Sequence, residues 1–364
     1  MKPIINLILL GKGNVGNAWL DLFIEQQVRY ASFADVRLVA VANSARYLLN
    51  SEGLNLESIN NFQQHSVAGN LVQLIEKVEE YDLTHVVVLD ITASKDVTDA
   101  YSTFAELGWN IISANKRAMT LPSERYNFLV NKLKENKCYW GINATVGAAL
   151  PIQSSMQDLL QCGDTLLSVS GVFSGSLSYL LTEYDGQQSF TDLVKKACEA
   201  GITEPDPRDD LSGTDVQRKL LILSRIAGHL INLSDIKVSP LLPESLLTGD
   251  LNQFWSNKNE IDNFMANAYE QAQQQNERLV YLAQTRIIHN VVEGKVGLQA
   301  LPASDAVSQL SPTDNVFTLT TDFYSNNPLI IRGPGAGAEI TATAVNIDLN
   351  KYVTQLAVAM EVDK

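Results

Sequence analysis

The chain has 364 residues, 45% of them apolar and 19% charged, an ordinary globular composition at a length that suits two or three domains. A net charge of −14 without a basic stripe excludes nucleic acid as a partner, because nothing is present to neutralise phosphates. The first apolar run is too short to span a membrane and ends in a glycine turn, so a cytoplasmic location is expected, away from any membrane.

That run, Ile4–Leu10, reads as a strand buried on both faces. Gly11-Lys-Gly13-Asn14-Val15-Gly16 follows it and opens into Asn17-Ala-Trp-Leu-Asp-Leu-Phe, giving strand, glycine turn and helix. In this setting the glycines allow a tight turn and close backbone approach, which seats a pyrophosphate on the helix N-terminus. A merely structural turn is the plainer alternative. The second strand, Val36–Ala42, should end beside an adenosine ribose, where an acid usually accepts from the 2′-hydroxyl. Here the chain reads Asn43-Ser-Ala-Arg46. No acid repels a 2′-phosphate, so NADP is admitted beside NAD, and Arg46 either pairs with that phosphate or faces solvent.

Residues 51–70 are polar and rich in Asn and Gln, and predict a surface excursion. His85–Leu89 is a further buried strand ending in Asp90-Ile-Thr92-Ala93, and Asn110–Ser113 is another, ending in Ala114-Asn-Lys116-Arg117. Ligands in open parallel sheets bind beyond such carboxyl ends, so Thr92, Ala93 and Lys116 are candidate cofactor contacts. For Lys116 the alternative is a surface lysine that opens a helix. From Leu166 the pattern changes: Leu166–Phe173 and Leu298–Ala300 read as strands, with helices at 190–200, 213–227 and about 260–283, an α+β arrangement. The Gln271–Asn276 run falls inside the last of these helices.

The densest charge lies in Ile202-Thr-Glu204-Pro-Asp-Pro-Arg-Asp209-Asp210-Leu-Ser-Gly-Thr-Asp215-Val-Gln-Arg-Lys219. Pro205 and Pro207 disfavour helix, while Ser212 and Asp215 have the spacing of a capping pair that starts a helix near Gly213. Val216, Leu220, Leu223 and Ala227 then share one face, and Gly228 is the stop. Asp215 and Lys219 are one turn apart beside that stripe, where burial and a neighbouring carboxylate pull an ammonium in opposite directions, a balance that suits a proton donor or acceptor. A solvated surface pair is the alternative. Repelling carboxylates in a stiff loop call for a cation, and a substrate ammonium would serve. Cys138, Cys162 and Cys198 are odd in number and scattered, as expected for reduced thiols, and His65, His85, His229 and His289 are isolated, so neither set predicts a metal site.

Taken in order and spacing, Gly11–Gly16, Ser113-Ala-Asn-Lys-Arg117, Asn143-Ala-Thr-Val-Gly-Ala-Ala-Leu-Pro151, Gly171-Val-Phe-Ser-Gly-Ser-Leu-Ser-Tyr179, the 204–219 segment and Gly333-Pro-Gly-Ala-Gly-Ala338 resemble the homoserine dehydrogenase family. The resemblance covers nearly the whole chain and is greatest to the dehydrogenase portion of fused aspartokinase–homoserine dehydrogenases. It implies an α/β fold: a Rossmann-like doubly wound parallel sheet over 1–140, completed by 333–364, and a second α+β domain over 141–332 that binds substrate and dimerises. It also implies NAD(P)-dependent interconversion of L-homoserine and L-aspartate 4-semialdehyde, in threonine and methionine biosynthesis, by a cytoplasmic homodimer. The length leaves no room for a kinase or a C-terminal regulatory domain, so weak or absent inhibition by threonine is expected.

Residue by residue, the family's catalytic lysine matches Lys219, and a second functional lysine matches Lys116. Glu204, Asp210 and Asp215 match acids that hold the substrate, with Gly175 beside them. Gly335, Gly337 and Glu339 belong to the segment that returns to the cofactor. A monovalent cation, Na+ or K+, is implied at Asn143, Val146, Ala148 and Leu150, the last three through backbone carbonyls. Three positions depart from the family: Asn143 stands where an acid is common, and Ile202 and Pro334 stand where tyrosines are. In the reductive direction an alkoxide develops, so a cation within hydrogen-bond reach stabilises it and supplies the proton. The resemblance gives that role to Lys219, with Lys116 orienting substrate or relaying the proton, Glu204 and Asp210 on the substrate ammonium, and Asp215 on Lys219 or the reacting oxygen. Two readings compete. One is a neighbouring amino-acid or semialdehyde oxidoreductase, which need not keep Glu204, Asp215 and Lys219 together; the other is a catalytically silent dinucleotide-binding sensor.

Overall fold

The apolar runs of the N-terminal part become a sheet covered on both faces. In this computed structural model, which describes residues 2–288 and 291–362 and leaves His289 outside the described residues, the chain divides into Met1–Ala149 with Gly337–Lys364, and Leu150–Ala336. The first unit contains β1 (Ile4–Leu10), β2 (Asp35–Ala42), β3 (Arg46–Leu49), β4 (Val67–Ala68), β5 (Val86–Asp90), β6 (Asn110–Ser113) and β7 (Trp140–Gly141), in the order β4-β3-β2-β1-β5-β6-β7. The five strands from β2 to β7 in that order pair in parallel, and β3 and β4 add an antiparallel edge.

Alternation along β1 shows why the run is continuous: Ile5, Leu7 and Leu9 enter one core layer, and Ile8 and Leu10 the other. Trp19, Leu20 and Phe23 of the helix Asn14–Glu25 share the first layer with Val345, Leu349, Tyr352 and Val353 of the final helix Ala338–Val362. Leu74, Tyr101, Phe104, Leu129 and Leu133 fill the second. The 51–70 stretch is mostly exposed, as its composition predicts, but it is structured and anchored. It folds into the short helices Leu56–Asn60 and Phe62–His65, because Ile59 and Phe62 insert into the core.

The second unit is built on β8 (Leu166–Val172), β9 (Ile236–Val238), β10 (Glu277–Ile288), β11 (Val291–Pro302), β12 (Asp314–Thr321) and β13 (Leu329–Pro334), in the order β13-β12-β8-β10-β11-β9. All its pairings are antiparallel except β11 with β9. The helix expected over 260–283 spans Lys258–Gln274 and stops because Asn276 takes a left-handed φ of 56°, after which β10 begins. Two further expectations are corrected near the acid cluster. Pro207 opens a short helix, Pro207–Leu211, as its first residue, with Asp206 capping it. The next helix, Thr214–Ile226, has Gly213 at φ 72° as its N-cap in place of Ser212, whose Oγ accepts from Thr214 N at 3.2 Å; a Cβ at 213 would lie 1.8 Å from the Tyr281 hydroxyl.

Candidate active site

The strand order of the first sheet reverses at β1, which has β2 on one side and β5 on the other, and ligands bind at the carboxyl ends flanking such a point. The glycine turn sits there. Gly11 has φ 106°, and a Cβ on it would meet the Ile91 carbonyl at 2.5 Å; a Cβ on Gly16 would lie 2.0 Å from the Gly11 carbonyl. Both glycines are therefore required by the chain's own packing. Gly13 is not: it is extended, and a Cβ would meet nothing within 4 Å. That open cradle, followed by Asn14 and Val15 at the start of a twelve-residue helix, fits the diphosphate of a dinucleotide.

The turns after β5 and β6 are fastened to each other. Asp90 is fully buried, accepting from Thr92 N (2.9 Å), Thr92 Oγ1 (2.6 Å), Tyr101 Oη (2.8 Å) and Asn115 Nδ2 (3.0 Å). Burial raises its carboxyl above the ordinary range, and these donors pull it back. Asn115 also donates to the Ser94 carbonyl (2.9 Å), and Arg117 Nε donates to the Ala93 carbonyl (2.7 Å). Lys116 is thus held half-buried in a turn, not at the start of a helix. Beyond β2, Asn43 Oδ1 accepts from Ala45 N and Arg46 N at 2.9 and 2.8 Å. Arg46 directs Nε to Ser66 Oγ (2.8 Å) and Nη2 to the Ser66 carbonyl, so its guanidinium ties β3 to the neighbouring segment.

In the second unit the acid cluster has a defined centre. The Lys219 side chain is 10% exposed; its Nζ donates to the Phe173 carbonyl at 2.7 Å and pairs with Asp215 Oδ2 at 2.9 Å, while the Asp215 side chain stays 46% exposed. Asp210 Oδ1 accepts from Ser176 Oγ (2.6 Å) and Oδ2 from Glu204 N (2.8 Å). Burial raises the Asp210 carboxyl, aided by nearby Asp215 and opposed by Ser176, the Glu204 backbone and Lys219. Glu204 and Asp209 are exposed. Asp206 is clamped by Arg208 (2.5 Å), which also holds the Gly249 carbonyl (2.7 Å), so part of the repulsion is relieved within the chain. Gly175 begins the helix Gly175–Glu183 that Ser174 caps, and a Cβ there would approach the Thr313 carbonyl to 3.0 Å.

The Phe173 carbonyl, Ser176 and Asn115 escaped the residue-type reading. A carbonyl carries no sequence signal, whereas the Ser-Gly-Ser at 174–176 before a helix and an Asn after a buried strand were visible as caps and turns. In the 143–150 segment, Asn143 N donates to Asp348 Oδ2 at 2.9 Å and its Nδ2 to Oδ1. Val146 is followed by Gly147 and Ala148 at φ 75° and 49°, and the Leu150 carbonyl accepts from Ile152 N at 2.8 Å. Gly335 faces buried Asn315, whose Nδ2 would be 2.0 Å from a Cβ, and Glu339 lies in the first turn of the final helix.

A glycine turn at the switch point of a parallel sheet defines the class, a dinucleotide-binding α/β protein. A family model described as homoserine dehydrogenase matches residues 151–349, and one described as homoserine dehydrogenase, NAD binding domain, matches residues 11–143. The chain is 40% identical over 355 residues to bifunctional aspartokinase/homoserine dehydrogenase 2 of Escherichia coli, covering 97% of this chain and 44% of that protein. It is 31% identical to homoserine dehydrogenase of Schizosaccharomyces pombe, over 97% of this chain and 96% of the other. A crystal structure of a Candida auris protein of unknown function superposes with a TM-score of 0.86 at 30% identity, over 97% of this chain and 98% of that one. The chain belongs to the homoserine dehydrogenase family, while spanning less than half the length of the bifunctional relatives it matches. Among the described residues, no helix is long and apolar enough to cross a membrane.

Proposed function

We propose that this chain interconverts L-homoserine and L-aspartate 4-semialdehyde with NAD(P), and that Lys219 moves the proton. The observation that carries the reading is the Lys219 ammonium, buried along the helix Thr214–Ile226 and held by the Phe173 carbonyl and Asp215. An ammonium has three donors, and these two partners leave the third for a substrate oxygen. In reduction, Lys219 stabilises the developing alkoxide and gives up its proton to form the hydroxyl; in oxidation it takes the proton back. The bound dinucleotide supplies or accepts the hydride.

Asp215 keeps the ammonium aimed. Each Asp210 oxygen has one donor and a second lone pair to offer, so Asp210 and exposed Glu204 bind the substrate's ammonium group. Lys116 orients the substrate or relays the proton from its fastened turn. Asn143 and the carbonyls of Val146, Ala148 and Leu150 hold Na+ or K+; the left-handed φ of Ala148, a strained non-glycine conformation, supports a functional turn. The exposed edge strand β13, with Ile330 45% exposed, supports dimerisation through the second unit. Three free thiols support a reducing, cytoplasmic compartment. The test is Lys219→Ala: turnover with homoserine should fall by ~10²–10⁴ while dinucleotide affinity is unchanged. Unchanged turnover would take the proton away from Lys219.

A further inference from the structure

The Asn- and Gln-rich stretch after β3 walls a cleft. Lys12, Asn43 and the run Asn60–Gln64 line an open cleft of about 310 Å³ in the first unit, at the low end of the range for ligand pockets. Its position is informative, because Lys12 belongs to the glycine turn after β1 and Asn43 directly follows β2, the place where the adenosine ribose lies on a doubly wound sheet. Its chemistry is one-sided: one ammonium, five side-chain amides and one aromatic ring, with no carboxylate among the lining residues.

The wall is firmly built. Phe62 is 4% exposed and anchors it in the core, and Asn55 caps the helix Leu56–Asn60 by accepting from Ser58 N at 2.8 Å. Lys12 Nζ lies 5.9 Å from the Phe62 ring centroid and donates to Asn17 Oδ1 at 3.2 Å, which leaves donors on the ammonium for a ligand. Asn43 has its Oδ1 engaged by two backbone N–H groups, so its remaining offer is the Nδ2 donor. Arg46 is the nearest cation by sequence to the end of β2, yet its guanidinium clasps Ser66.

We propose that Lys12 and Asn43, backed by the Asn60–Gln64 wall, form a phosphomonoester subsite that selects NADP over NAD, with Lys12 rather than Arg46 supplying the charge. The proposal rests on the dinucleotide reading of the glycine turn. A hydroxyl in this place brings no charge to pair with the Lys12 ammonium, whereas a 2′-phosphate gains an ion-paired hydrogen bond from Lys12 and a further bond from Asn43.

Titration of the full chain with NADPH and NADH, followed by calorimetry or by nicotinamide fluorescence, tests it without requiring turnover. The wild type should bind NADPH more tightly. Lys12→Gln should raise the Kd for NADPH about 10- to 100-fold and that for NADH by less than about 3-fold, while Lys12→Arg keeps the preference. Arg46→Ala should lower the melting temperature through loss of the Ser66 clasp and leave the NADPH-to-NADH affinity ratio in place. Equal wild-type affinities, equal weakening of both dinucleotides in Lys12→Gln, or a ratio that collapses only in Arg46→Ala would each overturn the subsite. Folded wild type that binds neither dinucleotide would instead overturn the dinucleotide reading beneath it.

Discussion

The glycine turn and the acid cluster solve opposite problems. At the turn the chain removes side chains: Gly11 and Gly16 let two backbones pass within contact of each other, and Gly13 leaves a gap that nothing in the protein fills. At the cluster it concentrates polar side chains and pairs them within the chain, Lys219 with Asp215 and the Phe173 carbonyl, Arg208 with Asp206, Ser176 with Asp210. The first arrangement suits a large anionic ligand bound mainly by backbone, and the second suits a small charged substrate whose protons must be moved.

Gly13 and Gly16, the exposed and the buried glycine of one turn, should answer substitution in opposite ways. Gly16→Ala should destabilise the protein at the upper end of ~1–3 kcal/mol, because its Cβ would collide with the Gly11 carbonyl 2.0 Å away. Gly13→Val should leave the melting temperature unchanged and weaken dinucleotide binding by about 10- to 100-fold. Equal loss of stability in both variants would mean that Gly13 is structural, and the turn would lose its claim to a ligand.

Asp90→Asn ranks next. Four donors converge on this carboxylate, so an amide would turn a donor toward other donors at a cost of about 1–3 kcal/mol, readable by denaturant unfolding. Burial raises the Asp90 carboxyl, so the ionised form is the costly one in the folded state; wild-type stability should gain as pH falls through the raised value, and this gain should be missing in Asp90→Asn. A pH-independent difference between the two proteins would contradict that assignment.

The smallest effect belongs to the second site. Asp210 must be ionised to hold an ammonium, and burial raises its pKa, so kcat/KM should fall on the acid side from a higher pH than for an exposed aspartate. Ser176 donates to Asp210 and opposes that rise. Ser176→Ala should therefore move the acid limb upward by about 0.4–1 pH unit, the equivalent of one neutral hydrogen bond. A limb that stays in place would remove Asp210 from substrate binding.

The two units also differ in how much of them could be read from sequence. β1, β5 and β6 were readable because both faces are buried, which writes unbroken apolar runs such as Ile4–Leu10. β10 was not: Glu277, Arg278 and Arg286 face outward between apolar residues, and a glutamine-rich helix runs into it with only the left-handed Asn276 as punctuation. The edge strands β3 and β4 are short and half-exposed, and Phe62 is a lone aromatic in a polar run, so its burial is decided by tertiary packing. At the site, the spacing of Asp215 and Lys219 announced their pairing, whereas the cap position expected of Ser212 falls to Gly213, where the hydroxyl of Tyr281, distant in sequence, leaves no room for a side chain. Arg46 illustrates the same limit, since nothing local foretells that Ser66 takes its guanidinium.

The most direct test of the whole account is absorbance at the reduced-nicotinamide band with L-homoserine and NADP or NAD in turn, with and without Na+ or K+. Homoserine-dependent reduction, faster at low concentrations of NADP than of NAD, is the predicted result. Folded protein that binds dinucleotide but reduces none of it under any combination would contradict the assignment of Lys219 and its acids to catalysis.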